Sequence, residues 1–251
     1  MSSSVNQQLP LFYKTLVPFS RTEHHGLTLP NDQASYTFAS PTDIIPLLVS
    51  EVVHAVRHFP IVFIKNRSSE AVTLVALVGK GDGQNQFVDA KGQWRPGVYI
   101  PAWVRRYPFA LMSDSKGDGL LAVDLEAPIF EHKTDVQPLV DSDGKPTELL
   151  QKVMEFQKEF LAMSQLTEQV TKALVQAEVL EDAGLSIRQP DSDKPVKVQG
   201  FMVVNEVKLK ALQAEQLEKL HRADALGLAY AQLLSMGNFS QLLNSPAPSH
   251  I

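Results

Sequence analysis

The sequence contains no cysteine, and this absence removes several classes of function at once. Without a thiol, these 251 residues form no disulfide, offer no thiolate nucleophile and supply no cysteine ligand to zinc or to an iron–sulfur cluster. An excess of positive charge is also missing, because 23 Lys and Arg residues stand against 28 Asp and Glu residues, for a net charge of -5. Nucleic acid is therefore not expected as a partner.

Long apolar runs are missing as well, since no window approaches the length that a membrane-spanning helix requires. The first residues, MSSSVNQQLPLFYK, have neither a charged n-region nor an apolar core, so they do not predict a secretory signal. What is present is the composition of a globular protein, with 44% hydrophobic and 20% charged residues. These features predict a soluble cytoplasmic protein without a membrane span.

Recognisable catalytic motifs are absent too. There is no GxSxG elbow, and no set of Ser, His and Asp can be chosen from spacing. The glycine-rich run GKGDG at 79–83 follows a predicted strand, but a phosphate loop requires GxxxxGK, then Ser or Thr, leading into a helix. Lys80 is in the wrong place for that motif, so the run is interpreted as a hairpin loop.

The first 145 residues are predicted to form a mixed α/β region that contains a sheet and one embedded helix. The helix is placed at 41–59, where apolar side chains recur at helical spacing until Pro60 ends the pattern. Runs rich in β-branched and aromatic residues predict strands, which are placed at 12–19, 61–65, 72–78, 86–89, 93–99, 109–113 and 120–125. The last two of these strands are predicted to pair as a hairpin.

Residues 146–251 are predicted to be a helical region with one returning strand, packed as a single unit. Two apolar stripes predict two helices, the second of which is ended by Gly184. The returning strand is placed at 196–204 and is followed by Asn205 as a helix N-cap. Leucine-rich helices fill 206–243, with breaks near Gly227 and Gly237, and they could also form a homodimer. The fold class is therefore α+β, with a strand-rich N-terminal half and a mostly helical C-terminal half.

The predicted helix contains one combination of residues that could bind a metal ion. Glu51, His54 and His58 fall at i, i+3 and i+7, so all three could share one face. Two histidines one turn apart beside a carboxylate could hold a metal ion, but the cation Arg57 lies next to them and the sequence supplies no fourth ligand. These residues are interpreted as a solvated polar face, and no metal site is predicted.

The clearest candidate for a polar site is the stretch YIPAWVRRYPFALM at 99–112, where Arg105 and Arg106 interrupt apolar and aromatic residues. Neighbouring side chains diverge by about 100° in a helix and about 180° in a strand, so the two guanidinium groups point different ways. One is expected to be buried and paired with a carboxylate, because an unpaired buried charge is costly. The candidate carboxylates are Glu51, Asp124 and Glu126. The other guanidinium reaches solvent or a ligand.

Two interpretations of these arginines stay open. In the first, an arginine stacks on Trp103 or Tyr107 and ties the sheet to the helix, which is a structural role. In the second, an arginine binds an anionic ligand.

The order of several segments resembles the bacterial SapC family over nearly the whole chain. The strongest pieces are VPFSRTEHHGLTL, EVVHAVRHFPIVFIKN, VALVGKGDGQNQFVDAKGQW and YIPAWVRRYPFAL, whereas the C-terminal half matches more loosely. Within these pieces lie the candidate binding residues, which are His24, Glu51, Arg57, Asn85, Trp94, Trp103, Arg105, Arg106 and Tyr107.

The resemblance implies a link to the bacterial surface layer, because the family is named for a protein encoded with surface-layer components. Members also occur near flavin-dependent halogenase-like proteins, cupin-like oxygenases and outer-membrane receptors, which implies an accessory role by analogy. The leading hypothesis is a non-catalytic accessory or binding protein in surface-layer or envelope processes. No cofactor is expected, and the partner is an unknown protein or a small anionic ligand.

The competing hypothesis is an enzyme, or the partner of a halogenase-like enzyme, that acts on a small molecule or peptide. Arg105 or Arg106 would hold a carboxylate or phosphate, and His24, His25 or His54 would move protons. The cytoplasm is the expected compartment. The alternative is the cell envelope, reached by an export route that needs no signal peptide.

Overall fold

The computed structural model describes residues 9–32, 35–66, 69–113, 119–132, 134–187 and 196–244. The chain forms two compact units, and each is assembled from two separate stretches. The first unit comprises Met1–Phe38 and Arg106–Glu159, and the second comprises Ala39–Arg105 and Phe160–Ile251. Neither unit is therefore continuous in sequence. The predicted division of the chain into a mixed α/β region up to residue 145 and a helical region after it stays a prediction.

Antiparallel strands and helices together confirm the predicted α+β class. The strands are β1 (Leu16–Pro18), β2 (Thr28–Pro30), β3 (Ile44–Pro46), β4 (Ile61–Lys65), β5 (Val72–Leu77), β6 (Phe109–Ser113), β7 (Gly119–Asp124), β8 (Val136–Pro138), β9 (Leu180–Ile187) and β10 (Val196–Val204). The α-helices are α1 (Val52–Ala55), α2 (Ala102–Arg105), α3 (Glu148–Gln176), α4 (Glu206–Lys210), α5 (Ala214–Arg222), α6 (Ala225–Ser235) and α7 (Asn238–Asn244). Short 3-10 helices lie at Thr37–Ala39, Val49–Glu51 and Pro128–Glu131.

The first unit is built on a three-stranded antiparallel sheet in the order β1-β7-β6, with a separate ribbon of β2 and β8. The predicted hairpin of β6 and β7 is confirmed, and Phe109 pairs with Val123. These two side chains share a buried cluster with Leu139 and with Leu150 of α3. The apolar faces of the sheet and of the helix start thus form one core.

The second unit contains a five-stranded antiparallel sheet in the order β3-β5-β4-β10-β9. In the antiparallel pairing of β10 with β4, Met202 lies opposite Phe63. Beside this junction the buried amide of Gln232, on α6, accepts the Val204 N–H at 2.9 Å and donates to the Ile61 carbonyl at 3.2 Å. One side chain therefore holds the ends of two strands that come from distant parts of the chain.

The helix predicted at 41–59 is wrong in its first part. Residues Ile44–Pro46 form β3, which pairs with β5, and helical structure is limited to Val49–Glu51 and α1. Two β-branched residues before Pro46 suit an edge strand, where a proline without an N–H is tolerated. Of the predicted strands at 86–89 and 93–99, the structure shows an isolated bridge between Val88 and Trp94.

The two helices predicted after Pro146 are one continuous helix, α3. Gly184 is not a helix terminus, since it lies in β9, which pairs along its length with β10. The described part of the chain after residue 146 therefore contains two strands instead of one. The Asn205 N-cap is confirmed, because its side chain accepts the Lys208 N–H at 2.9 Å.

The C-terminal helices are also divided differently from the prediction. The break near Gly237 is confirmed between α6 and α7, but Gly227 lies inside α6. The other interruptions fall at 211–213 and 223–224, and Asp224 there has a positive φ of 54°. Within the residues described, no helix combines the length and the apolar character that crossing a membrane would need.

Candidate functional site

The central residue of the candidate site is Glu51, at the end of the 3-10 helix Val49–Glu51 in the second unit. Its side chain is only 4% exposed, and its Oε2 accepts the N–H of Ala102 at 3.1 Å. The first N–H groups of a helix lack partners within that helix, so a carboxylate at the start of α2 satisfies one of them. This bond ties the segment before α1 to α2.

Burial raises the pKa of Glu51 to about 7, because the ionised form loses its hydration. The Ala102 N–H bond and the positive charge of Arg105 oppose this effect without cancelling it. The second carboxyl oxygen, Oε1, is buried and has no hydrogen-bond partner among the residues described. Glu51 is thus poised to gain or lose a proton near neutral pH.

Arg105 belongs to the same site through Tyr99. Its Nε donates to the Ile100 carbonyl at 3.1 Å, and its Nη2 donates to the Tyr99 hydroxyl at 3.2 Å. The guanidinium carbon lies 5.9 Å from the centroid of the Tyr99 ring, and the His54 ring stacks on that same ring at 5.4 Å. Glu51, His54, Tyr99 and Arg105 are called the Glu51 cluster below.

Solvent exposure differs sharply within the Glu51 cluster. Arg105 and His54 are exposed, whereas Glu51 is buried. Burial and the nearby Glu51 charge raise the pKa of Tyr99, so its hydroxyl keeps its proton near neutral pH. The cluster therefore presents a positioned cation at the surface above a protonatable acid in the interior.

Arg106 and Tyr107 lie in the first unit. Arg106 is 9% exposed, its Nε donates to the Phe109 carbonyl at 3.5 Å, and its guanidinium carbon lies 5.8 Å from the Tyr13 ring centroid. The Tyr107 ring stacks on Phe38 at 4.2 Å. The prediction that one arginine is buried and the other exposed is confirmed, whereas the expected pairing of the buried arginine with a carboxylate stays a prediction.

Asp124 is one of the carboxylates that the sequence offers as a partner for a buried arginine. The structure shows it fully buried in the first unit, where its oxygens accept the N–H groups of Lys14 at 2.8 Å and Thr15 at 2.9 Å. The Tyr107 hydroxyl also donates to it, at 3.4 Å. Asp124 thus holds the chain before β1 against the end of β7.

Three other candidate residues, Asn85, Trp94 and His24, hold local structure. Buried Asn85 donates to the Ala39 carbonyl at 3.0 Å and accepts the Phe87 N–H at 2.9 Å, and the Trp94 ring stacks on Phe87 at 6.4 Å. His24 accepts the Ser20 N–H at 2.9 Å within its turn. Arg57 is exposed, and its charge adds to burial in lowering the pKa of His58.

The loop at 79–83 surrounds a carboxylate of the protein itself. The N–H groups of Gly81 and Gly83 each donate to the Asp43 carboxylate at 2.8 Å, and those of Val78 and Gly79 donate to the Asp43 main-chain carbonyl. The donors that a phosphate loop would offer to a ligand are therefore directed to Asp43 here.

A metal ion held by the protein needs several His, Asp or Glu side chains close together. No group of three His, Asp or Glu side chains is placed to hold a metal ion in the part of the chain that the structure describes.

A protein-family comparison bears on all of these residues. The model of the family SapC matches residues 19–242. The chain belongs to the SapC family. No curated protein and no solved structure matches the sequence. The SapC match contains the whole Glu51 cluster and every candidate binding residue from His24 to Tyr107, and it confirms the resemblance that the sequence segments suggested.

Sequence reasoning selected two members of the Glu51 cluster as binding candidates within this SapC-family chain, Glu51 and Arg105, and proposed His54 as a proton carrier. It missed Tyr99, which touches both His54 and Arg105. The sequence signal that could have identified Tyr99 is its position at the start of the stretch that contains the two arginines. Trp103, also a candidate, lines a cavity in the second unit.

Proposed function

We propose that the chain is a non-catalytic accessory protein that binds a small anionic ligand at Arg105 and serves surface-layer or envelope processes. One observation carries the ligand proposal: Arg105 is exposed, yet bonds to Ile100 and Tyr99 hold its guanidinium in one orientation. A guanidinium that is already oriented loses little entropy when it binds a carboxylate or phosphate with two parallel hydrogen bonds.

Glu51 supports this proposal through its charge. When Glu51 is protonated, the cluster keeps the Arg105 cation without a neighbouring anion, which favours a negatively charged ligand. When Glu51 ionises near its pKa of about 7, its negative charge opposes that ligand. Anion binding should therefore weaken as the pH rises through 7.

Membership of the SapC family supports the surface-layer connection, and the absence of a recognisable catalytic motif supports an accessory role. We place this role in the cytoplasm, with export to the envelope as the alternative. Self-association through the C-terminal helices is supported by exposed apolar side chains one turn apart on α6, where Tyr230 is 46% and Leu234 is 76% exposed.

A thermal-shift and calorimetric screen of carboxylates and phosphates tests the ligand proposal. An anion should stabilise the wild type and Arg21→Ala, a control that removes another exposed arginine, but not Arg105→Ala. Stabilisation that persists in Arg105→Ala, or no stabilisation by any anion, would contradict the proposal.

A second candidate function is favoured by the contact of His54 with Tyr99 next to Glu51. A histidine, a phenol and an acid with a pKa near 7 are groups that can move protons in an enzyme. Incubation with peptides and small carboxylates, followed by mass spectrometry, tests this function. Product formed by the wild type and not by Glu51→Gln would favour the enzyme over the accessory protein.

A further inference from the structure

A second site lies along one face of α3 in the second unit, apart from the Glu51 cluster. Phe160, Ser164, Thr167 and Thr171 recur at intervals of four, three and four residues, so they form one stripe on the helix. The stripe extends over about 16 Å at the helical rise per residue. It lines a cavity of about 280 Å³, whose other walls come from the end of β3, the start of β5 and Trp103 of α2.

One part of this cavity is apolar. Leu47, Leu48 and Leu74 line it as buried side chains. The rings of Trp103 and Phe160 lie 5.8 Å apart at an angle of 60°. A small hydrocarbon group or aromatic ring would find apolar and aromatic contacts on several sides there.

The polar part of the cavity consists of oxygen-bearing side chains alone, apart from the indole of Trp103. They are Thr73, Ser164, Thr167, Glu168 and Thr171. Glu168 is exposed at the rim and is the charged residue of the lining. A lining of this kind favours a ligand that brings hydrogen-bond donors and positive charge, and it disfavours a carboxylate or phosphate.

The two buried threonines of the stripe differ in their hydrogen bonds. The Thr167 hydroxyl accepts the Val49 N–H at 2.9 Å and donates to the Met163 carbonyl at 2.6 Å. Thr171 is 1% exposed, and its hydroxyl has no hydrogen-bond partner in the described ranges. Buried hydroxyl groups without partners are uncommon in native proteins, so this oxygen is a candidate ligand contact.

We propose that this cavity binds a small apolar amine. The ammonium group would donate to the Glu168 carboxylate and to the Thr171 hydroxyl, which lie within one helical turn of each other, and the apolar group would pack against Trp103 and Phe160. A protonated amine also gains from aromatic rings nearby. An adjoining cavity of about 360 Å³ shares Glu168 with this cavity and also has Lys172 in its lining.

Calorimetry with two matched probes tests the charge preference. Phenethylamine and 3-phenylpropionate share a phenyl ring on a short chain but carry opposite charges. The amine is expected to bind the wild type at least about tenfold more tightly than the acid, since the charged lining residue is Glu168. Equal binding of both probes, or no binding of the amine at millimolar concentration, would overturn the proposal.

Variants then locate the amine. Glu168→Gln should weaken phenethylamine binding about fivefold to tenfold, and Thr171→Val, which removes the hydroxyl at nearly constant volume, about threefold. Glu155→Gln, an exposed position on α3 outside the cavity lining, should leave binding unchanged. Glu168 is exposed, so its variant should keep the fold, which circular dichroism verifies. Unchanged binding by Glu168→Gln would refute the proposal.

Arg105→Ala separates this site from the anion site. Because Arg105 is not part of the cavity lining, its removal should leave amine binding within about twofold of the wild type. Loss of amine binding in Arg105→Ala would show that the amine does not occupy this cavity.

Discussion

Glu51 accepts the main-chain N–H of Ala102 through its buried Oε2, at 3.1 Å and across 51 residues of sequence. The bond places an acid that titrates near pH 7 in the interior, beside the arginine that we propose as the anion site. Charge state and local structure are therefore coupled at this residue.

The first prediction is that Glu51→Gln changes how stability depends on pH. In the unfolded chain Glu51 titrates near 4.5, and in the folded protein its pKa is about 7. The stabilising contribution of the protonated group is complete below pH 4.5, decreases as the pH rises and is lost above about 7. A shift of this size corresponds to about 3 kcal/mol.

Glutamine is neutral at every pH and can still accept the Ala102 N–H. Relative to the wild type, Glu51→Gln should therefore gain about 3 kcal/mol of unfolding free energy between acidic and alkaline pH. Urea denaturation across that range measures the difference. The control Glu155→Gln should show none, and a constant difference for Glu51→Gln would contradict the assignment.

The second prediction concerns Asp124. Asp124→Ala should lower the unfolding free energy by about 2–5 kcal/mol, because it removes a fully buried side chain and leaves the N–H groups of Lys14 and Thr15 without their acceptor. Tyr107→Phe removes only the 3.4 Å bond to Asp124 and should cost about 1 kcal/mol or less. Equal losses in the two variants, measured by urea denaturation, would disprove this ranking.

The third prediction concerns the loop around Asp43. A side-chain carbon at position 79 would lie 2.6 Å from the Gln84 carbonyl oxygen and would also collide with the Asp43 carboxylate. Gly79→Ala should therefore cost about 3 kcal/mol. Gly26→Ala, at a position with open space, should change stability by less than about 1 kcal/mol. Similar melting temperatures for both variants would argue against a closely packed loop.

The fourth prediction concerns Gln232, whose side chain joins the ends of β4 and β10. Gln232→Leu introduces an apolar side chain of similar size, leaves the Val204 N–H unpaired and weakens the hydrogen bonding of the Ile61 carbonyl. Its unfolding free energy should fall by about 2–4 kcal/mol. Amide exchange at Val204 should accelerate as the strand end opens more often. Unchanged amide exchange at Val204 would rule out this role of Gln232.

The fifth prediction concerns self-association. If α6 forms the proposed dimer contact, Leu234→Arg should give a monomer at concentrations where the wild type is dimeric, because a charge in an apolar interface is costly. Light scattering measures the mass. Leu161→Arg, at an exposed leucine of α3, should remain dimeric. A wild type that is monomeric at all concentrations would end the dimer proposal.

Local patterns predicted the elements that have a clear signal in their own residues. The β-branched runs of β4 and β10, the hairpin of β6 and β7, and the Asn205 cap all follow from neighbours in sequence. The same reasoning failed at β3 and β9. Ile44–Pro46 is a strand because β5 pairs with it, and Leu180–Ile187 is one because β10 does. Tertiary pairing outweighed local propensity in both segments.

The candidate site also has features that local sequence predicted and features that it did not. Two neighbouring arginines diverge in any regular backbone, so the prediction of one buried and one exposed guanidinium followed from the sequence. The contact of Glu51 with Ala102 did not, because nothing local indicates which N–H a glutamate 51 residues away will meet.

By itself, the sequence determined the absence of thiol chemistry, the α+β class, the family and most of the longer strands. The tertiary structure alone decided that each compact unit joins two separate stretches, that Asp43 fills the glycine loop, and that Thr171 and Glu168 line a cavity. The physical reason is range. Residue propensities act over a few neighbours, whereas burial and hydrogen bonding join residues that only the completed fold brings together.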